Sequence, residues 1–272
     1  MPEIAEVETV RNTLKRRILN KKIVNVNIIY PKMIESDIKD FKSILEGRKF
    51  IDIGRIGKWL IFDLDDYVLL SHLRMEGKYF IKDSNEALAK HEHVVISFAD
   101  GTDLRYHDTR KFGRMNLVKK SDYLEVESIK KQGYEPMSKD LTSTYLLDKF
   151  KNKKLPIKTL LLDQTIISGL GNIYADEVLF ASKIYPLKKG EDLTKKKCQN
   201  IVDSSKSIIE KAIEMGGTTI KSYTSSLGVT GRFQQFLQVH KRENEECFNC
   251  QSKIIKIKVN GRSTYYCPKC QK

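Results

Sequence analysis

Four of the chain's five cysteines fall in its last 26 residues, as Cys247-x2-Cys250, sixteen residues, then Cys267-x2-Cys270. Two knuckles at that separation match zinc-ribbon spacing, in which one Zn²⁺ takes four thiolates in a closed tetrahedral structural site. The stretch between them, residues 251–266, alternates β-formers with Lys253, Lys256, Lys258 and Arg262. It has almost no apolar mass, so metal must stand in for a core. A pair of disulfides is the alternative, but nothing else points to an oxidising compartment. The fifth cysteine, Cys198, stands alone in a helical stretch and reads as an inert buried thiol.

The second candidate for chemistry is the start, Met1-Pro2-Glu3-Ile4-Ala5-Glu6-Val7-Glu8-Thr9. A bland reading needs no chemistry: Pro2 suits a first helical turn, and the glutamates suit the positive end of a helix dipole. With Met1 removed, however, Pro2 would present a secondary amine. An α-amino group has a pKa near ~8, so about a tenth is neutral and nucleophilic at pH 7. Attack on a sugar C1′ would give a cationic iminium, an electron sink for breaking adjacent C–O bonds, with Glu3 beside it to shuttle protons.

These groups need elements to position them. Residues 3–19 place Ile4, Val7, Val10 or Arg11, Leu14 and Ile18 at helical spacing. From about residue 22 to 118 the pattern changes to short β-rich runs: 23–30, 50–56, 59–64, 67–73, 78–81, 94–98 and 115–118. Asp65-Asp66 and Asp100-Gly101 read as hairpin turns. Helical patterns follow over 141–151, 156–163, 172–183 and 193–215. The expected fold class is α+β multidomain: an N-terminal helix with an antiparallel β-sandwich, then a helical domain carrying a zinc-ribbon finger. The expected boundaries are 1–133, 134–236 and 237–272.

Net charge is +14, from 49 Lys and Arg against 35 Asp and Glu, which favours a polyanionic partner. No apolar run approaches the ~18 residues of a spanning helix, which argues against a membrane role. Glu3, Glu6 and Glu8 are unlike a signal peptide, so a cytoplasmic protein is expected.

The opening MPEIAEVET resembles the MPELPEVET start of the formamidopyrimidine-DNA glycosylase family, bacterial base-excision enzymes. His72-Leu73-Arg74-Met75-Glu76-Gly77, Asp108-Thr109-Arg110-Lys111-Phe112-Gly113, the run Gly169 to Ala175, Gly216-Gly217-Thr218-Thr219 and the cysteine quartet follow in family order. The resemblance implies a monomer that flips oxidised purines out of damaged double-stranded DNA, excises them, and nicks the strand by β,δ-elimination. It implies a helix–two-turn–helix element in the helical domain. Pro2 would be the Schiff-base nucleophile, Glu3 the proton donor and Glu6 a supporting carboxylate. Lys58 would contact phosphate and assist elimination, and Arg262 would clamp phosphates from the finger. His91, Lys154 and Asn172 would be further DNA contacts. Met75, Arg110 and Phe112 would fill the void left by the extruded base. Gly216, Gly217, Thr218, Thr219 and Tyr223 would belong to a loop closing over that base.

Two departures from the family pattern are Ala5, in place of its usual proline, and the Thr109 and Lys111 pair, in place of Pro and Arg. Neither removes a group with a chemical role. Two other readings compete: an endonuclease VIII-like glycosylase for oxidised pyrimidines, and a zinc-ribbon protein that binds damaged DNA without catalysis.

Overall fold

The computed structural model describes residues 1–218 and 231–272. The first helix, α1 (Ile4–Ile18), buries Val7, Val10, Leu14 and Ile18, one stripe at helical spacing, in a single apolar cluster. It starts without a proline at position 5. A reciprocal capping box between Glu3 and Glu6 satisfies the backbone N–H groups of those two residues.

Eight antiparallel strands follow: β1 (Ile23–Ile28), β2 (Asp52–Ile56), β3 (Trp59–Asp63), β4 (Tyr67–His72), β5 (Lys78–Asp83), β6 (Glu92–Phe98), β7 (Thr102–His107) and β8 (Arg114–Lys119). They form two four-stranded sheets, ordered β1-β6-β7-β5 and β2-β3-β4-β8. Alternation explains how they stack. Leu60 and Phe62 of β3 join Val26, Ile96, Leu104 and Tyr79 of the other sheet in the cluster that also receives α1. Trp59 and Ile61, on the opposite face of β3, pack with Ile129 of the short α3 (Glu127–Lys130). This is the expected sandwich, with two additions: α2 (Ile38–Leu45), capped by Asp37 on the amides of Lys39 and Asp40, and strand β7.

The remaining helices are α4 (Ser143–Phe150), α5 (Ile157–Leu161), α6 (Asn172–Ala181) and α7 (Lys195–Glu214). All four expected helical stretches contain one. The chain closes with a hairpin of β9 (Ile255–Val259) and β10 (Arg262–Tyr266). Cys198 is fully buried, and burial pushes its thiol up to about 11, as suits an inert core residue. By compactness the chain divides into two units. One contains residues 1–130 with 216–232, and the other contains 131–215 with 233–272. No helix among the described residues is long and apolar enough to cross a membrane.

Candidate active site and nucleic-acid interface

In the first unit the chain start is anchored by Glu6. Its Oε2 accepts the Glu3 backbone N–H at 2.9 Å. Its Oε1 accepts the Thr218 N–H at 2.7 Å and the Thr218 hydroxyl at 3.0 Å. Both carboxylate oxygens are thus committed, one to the start of α1 and one to the loop at 216–218. Gly217 is required there: its φ is +77°, and a Cβ would come within 2.7 Å of Glu6 Oε1. Gly216 also has positive φ, and Thr218 is buried. Thr219 and Tyr223 lie outside the described residues.

Pro2, Glu3 and Lys58 are all buried. The ammonium of the unprocessed Met1 feels burial first, then Glu3, Glu6, Lys58 and Glu76, with its pKa lowered in balance. The groups named from the sequence therefore share one electrostatic neighbourhood around the chain terminus. Glu76 belongs to it as well, and sequence reasoning missed it. Burial, then Arg74 and Lys58, push His72 down to about 3 and keep it neutral. The His72 Nδ1 accepts the Arg74 N–H at 2.9 Å, and Arg74 adopts a positive φ of 52°.

Met75 and Phe112 stand on adjoining loops, 39 % and 45 % exposed, rather than in the core that an apolar residue between strands ordinarily joins. Together with Met1, Arg74 and Arg114 they line a cleft of about 340 Å³. Two devices turn these loops outward. Asp108, fully buried, accepts the Arg110 N–H on Oδ1 at 2.9 Å and the Phe112 and Gly113 N–H groups on Oδ2 at 2.9 and 2.8 Å. Tyr106 presents its phenol to both loops: a Cβ on Gly77 or Gly113 would meet its hydroxyl at 2.1 or 1.8 Å. The Thr109 hydroxyl adds a hydrogen bond to the Glu76 carboxylate, a link that a proline at 109 could not make. The Arg110 guanidinium lies over the Phe112 ring, 4.6 Å from its centroid. Asp108 and Tyr106 also escaped the sequence reading. The Asp that opens a tight turn was the available signal for the first.

His91 is half-buried with φ +75°, at the end of a loop tied down by fully buried Arg105. That guanidinium donates to Asp103, Glu92 and the carbonyls of Asp83, Glu86 and Ala87.

In the second unit Asn172 opens α6 behind Gly171, and its Nδ2 donates to the Ser263 carbonyl at 2.8 Å. This seats Asn172 beside exposed Arg262, the first residue of β10. Lys154 is exposed in the turn before α5. The four finger sulfurs of Cys247, Cys250, Cys267 and Cys270 lie within 4.8 Å of one another. The pair separations of 3.9 and 3.4 Å are close to the ~3.8 Å edge of a tetrahedron with ~2.3 Å Zn–S bonds, and far beyond a disulfide. The four thiols fit one structural zinc.

The fold and these sites define a two-unit protein with Pro2, Glu3 and Lys58 buried near its start and a four-cysteine finger at its end. Comparison with known proteins places that class. Three family models match in order: the formamidopyrimidine-DNA glycosylase N-terminal domain over residues 1–115, that family's H2TH domain over 132–224, and a zinc finger found in FPG and IleRS over 244–272. The formamidopyrimidine-DNA glycosylase of Lactobacillus helveticus is 47 % identical across all of this chain and 99 % of its own length. That of Listeria monocytogenes serotype 4b is 44 % identical, with complete coverage of both. Among solved structures, a Lactococcus lactis FPG mutant in complex with DNA containing Fapy-dG superposes with a TM-score of 0.95 at 41 % identity, covering both chains fully. The complex of Lactococcus lactis Fpg with abasic-site DNA gives 0.94 at 42 % identity over 99 % of each chain. The chain belongs to the formamidopyrimidine-DNA glycosylase family.

Proposed function

We propose that the protein excises oxidised purines from double-stranded DNA and then cleaves the strand at the abasic site, both through the amine of Pro2. The observation that carries this reading is the Glu6 bridge. One carboxylate fixes the residue after Pro2 and also the loop at Thr218, so the amine and the segment that would cover an extruded base are held by a single group.

After removal of Met1, the Pro2 nitrogen attacks C1′ of the damaged nucleotide and the N-glycosidic bond breaks. The C1′–O4′ bond then opens as O4′ takes a proton, which leaves an iminium at C1′. The iminium acidifies the C2′ protons, and β- then δ-elimination expels the two phosphates. Glu3 shuttles the protons, and Lys58 stabilises the phosphate leaving group. Met75, Arg110 and Phe112 enter the space the base leaves. The partial exposure of Met75 and Phe112 supports this, since large apolar side chains placed only for packing are ordinarily buried. Arg262 and Asn172 grip the backbone, with His91 and Lys154 as further contacts. Gly216, Gly217 and Thr218 belong to the base-covering segment. Zn²⁺ holds the finger and takes no part in the chemistry. The protein acts as a cytoplasmic monomer, in three parts divided near residues 133 and 236.

Borohydride trapping tests the reading on a duplex with one oxoguanine opposite cytosine, followed by peptide mapping. A covalent adduct at Pro2 is the expected result. Full activity with a residue added before Pro2 would remove the amine mechanism. A solved relative holds DNA containing an oxidised pyrimidine, so the trap is repeated on such a duplex. Stronger trapping there would favour the pyrimidine reading instead.

A further inference from the structure

We infer that Asp176 and Glu177, neighbours on α6, are positioning residues that hold the finger hairpin against the start of that helix, so that Arg262 and Asn172 meet the DNA backbone as one rigid clamp. This rests on the phosphate-binding role proposed above for those two residues.

Helix α6 is apolar on nearly every face, yet it buries two adjacent carboxylates. Buried charge is costly unless paired and hydrogen-bonded, and a well-packed apolar pair often serves stability equally well. Here every named bond runs away from the helix's own ladder and toward the finger's stem or the helix start. Asp176 Oδ1 lies 2.5 Å from the Lys158 ammonium, with both side chains wholly buried. That same ammonium donates to the Asn172 carbonyl at 2.9 Å. Asp176 Oδ2 takes the His240 Nδ1 at 2.7 Å. Glu177 accepts three successive backbone N–H groups, from Gln238, Val239 and His240, at 2.8, 3.0 and 2.8 Å. Such a run of amides around one carboxylate is an anion nest, and it fixes the backbone as well as the side chain.

The segment so held leads directly into the metal site. Val239 packs with Cys247 and Cys267. The His240 ring stands edge-on to Tyr265 of β10, with centroids 5.1 Å apart. Two further bonds hold the hairpin: Asn172 Nδ2 to the Ser263 carbonyl at 2.8 Å, and Asn260 Nδ2 to the Thr159 hydroxyl at 2.9 Å. The path from Asp176 to Arg262 therefore passes only through buried or bonded groups. Zinc gives the finger its internal shape, and the two carboxylates set where that shape sits relative to Asn172. A bidentate guanidinium–phosphate contact depends on such placement.

The test uses the full zinc-loaded chain and a duplex with a stable abasic analogue, with affinity measured across a salt series. Zinc content and melting temperature are followed as controls. Asp176→Asn is expected to keep its zinc yet bind about tenfold more weakly, the order expected for one lost charge-assisted contact. Its salt slope should fall by about one unit, as for Arg262→Ala. The substitution removes a negative charge, which alone would strengthen DNA binding, so weakening cannot come from net charge. Combined with Arg262→Ala it should cost clearly less than the sum of the two single losses, because both act on the same clamp. His240→Phe, which keeps a ring against Tyr265, should move affinity and slope the same way by less, and it decides alone if Asp176→Asn fails to fold. A merely stabilising network would lower the melting temperature and leave the slope unchanged.

A folded, zinc-loaded variant with the wild-type slope, or losses that add in full to those of Arg262→Ala, would overturn the inference while leaving the clamp intact. If Arg262→Ala itself leaves the slope unchanged, the phosphate reading fails and the positioning role falls with it.

Discussion

Asp108→Asn should uncouple damage recognition from general DNA binding. The Asp108 side chain is wholly buried and accepts three backbone N–H groups, two of them on the same oxygen. An asparagine fits the space but offers one acceptor oxygen and no charge. Turned toward Phe112 and Gly113, that oxygen keeps two bonds as neutral ones, each weaker by about 1 kcal/mol than its charge-assisted form. The amide nitrogen then opposes the Arg110 N–H, losing a third bond worth roughly 1–2 kcal/mol. The total is about 3–4 kcal/mol, a large part of the ~5–15 kcal/mol that holds a typical domain together. Because residues 109–112 are exposed, the loss is expected to fray the turn rather than unfold the sheet.

Frayed, the turn no longer presents Arg110 and Phe112 together. Binding to a duplex with one oxoguanine should weaken at least tenfold, whereas the phosphate contacts that dominate binding to undamaged duplex should be little changed. Titration of both duplexes with the same preparation measures the ratio, and far-UV circular dichroism verifies the fold. A folded Asp108→Asn protein with the wild-type ratio would refute the reasoning, because the turn would then hold its shape without the carboxylate.

Glu6→Gln loses at least one charge-assisted bond to Glu3 or Thr218, about 1.5–3 kcal/mol, so base excision should slow roughly tenfold or more. Cleavage of a ready-made abasic site, which has no base to cover, should suffer less; equal losses on the two substrates would separate Glu6 from the loop. Chelating the zinc should release the 255–266 hairpin and abolish tight duplex binding until zinc is restored, and undiminished affinity in the metal-free protein would contradict that coupling. His72 makes stability fall in acid. Its pKa, lowered to about 3 by burial and then by Arg74 and Lys58, lies below the ordinary ~6.5, so the unfolded chain binds a proton that the folded one refuses. Stability present above pH 6.5 is thus lost as pH falls, by about 2 kcal/mol at pH 5, and His72→Gln should flatten the pH dependence of melting over that range. An unaltered profile in that variant would assign the acid sensitivity elsewhere.

What could be read in the sequence was local. The cysteine quartet is legible because two short knuckles bring their own ligands, and α1 because one apolar stripe repeats along it. Strand β7 was not legible: its alternation is broken by Asp103 and Arg105, both buried. The guanidinium stays inside because Glu92, Asp103 and three carbonyls surround it, partners up to 22 residues away. Helix α2 was missed for the opposite reason, since its two buried residues, Phe41 and Leu45, are too few to set a period. Its cap at Asp37 was the better signal.

The site divides along the same line. Pro2 and Glu3 stand out by position, but the partner of Glu6 is 212 residues away at Thr218, and no spacing rule connects them. Met75 and Phe112 are the sharper case. Each is apolar and lies between strands, so hydrophobic patterning alone would place both in the core. They are outside because Tyr106 occupies the space beneath Gly77 and Gly113, and because Asp108 ties the second loop from below. With 39 % and 45 % of their surface in water, the two side chains forgo only about 1 kcal/mol each of the burial that a core position would give. On the void-filling role proposed above, that free energy would become available when a duplex loses a base from its stack and the two side chains enter the gap. The exposure that makes them poor core residues would then be the property that lets them offset part of the cost of extrusion, a few kcal/mol.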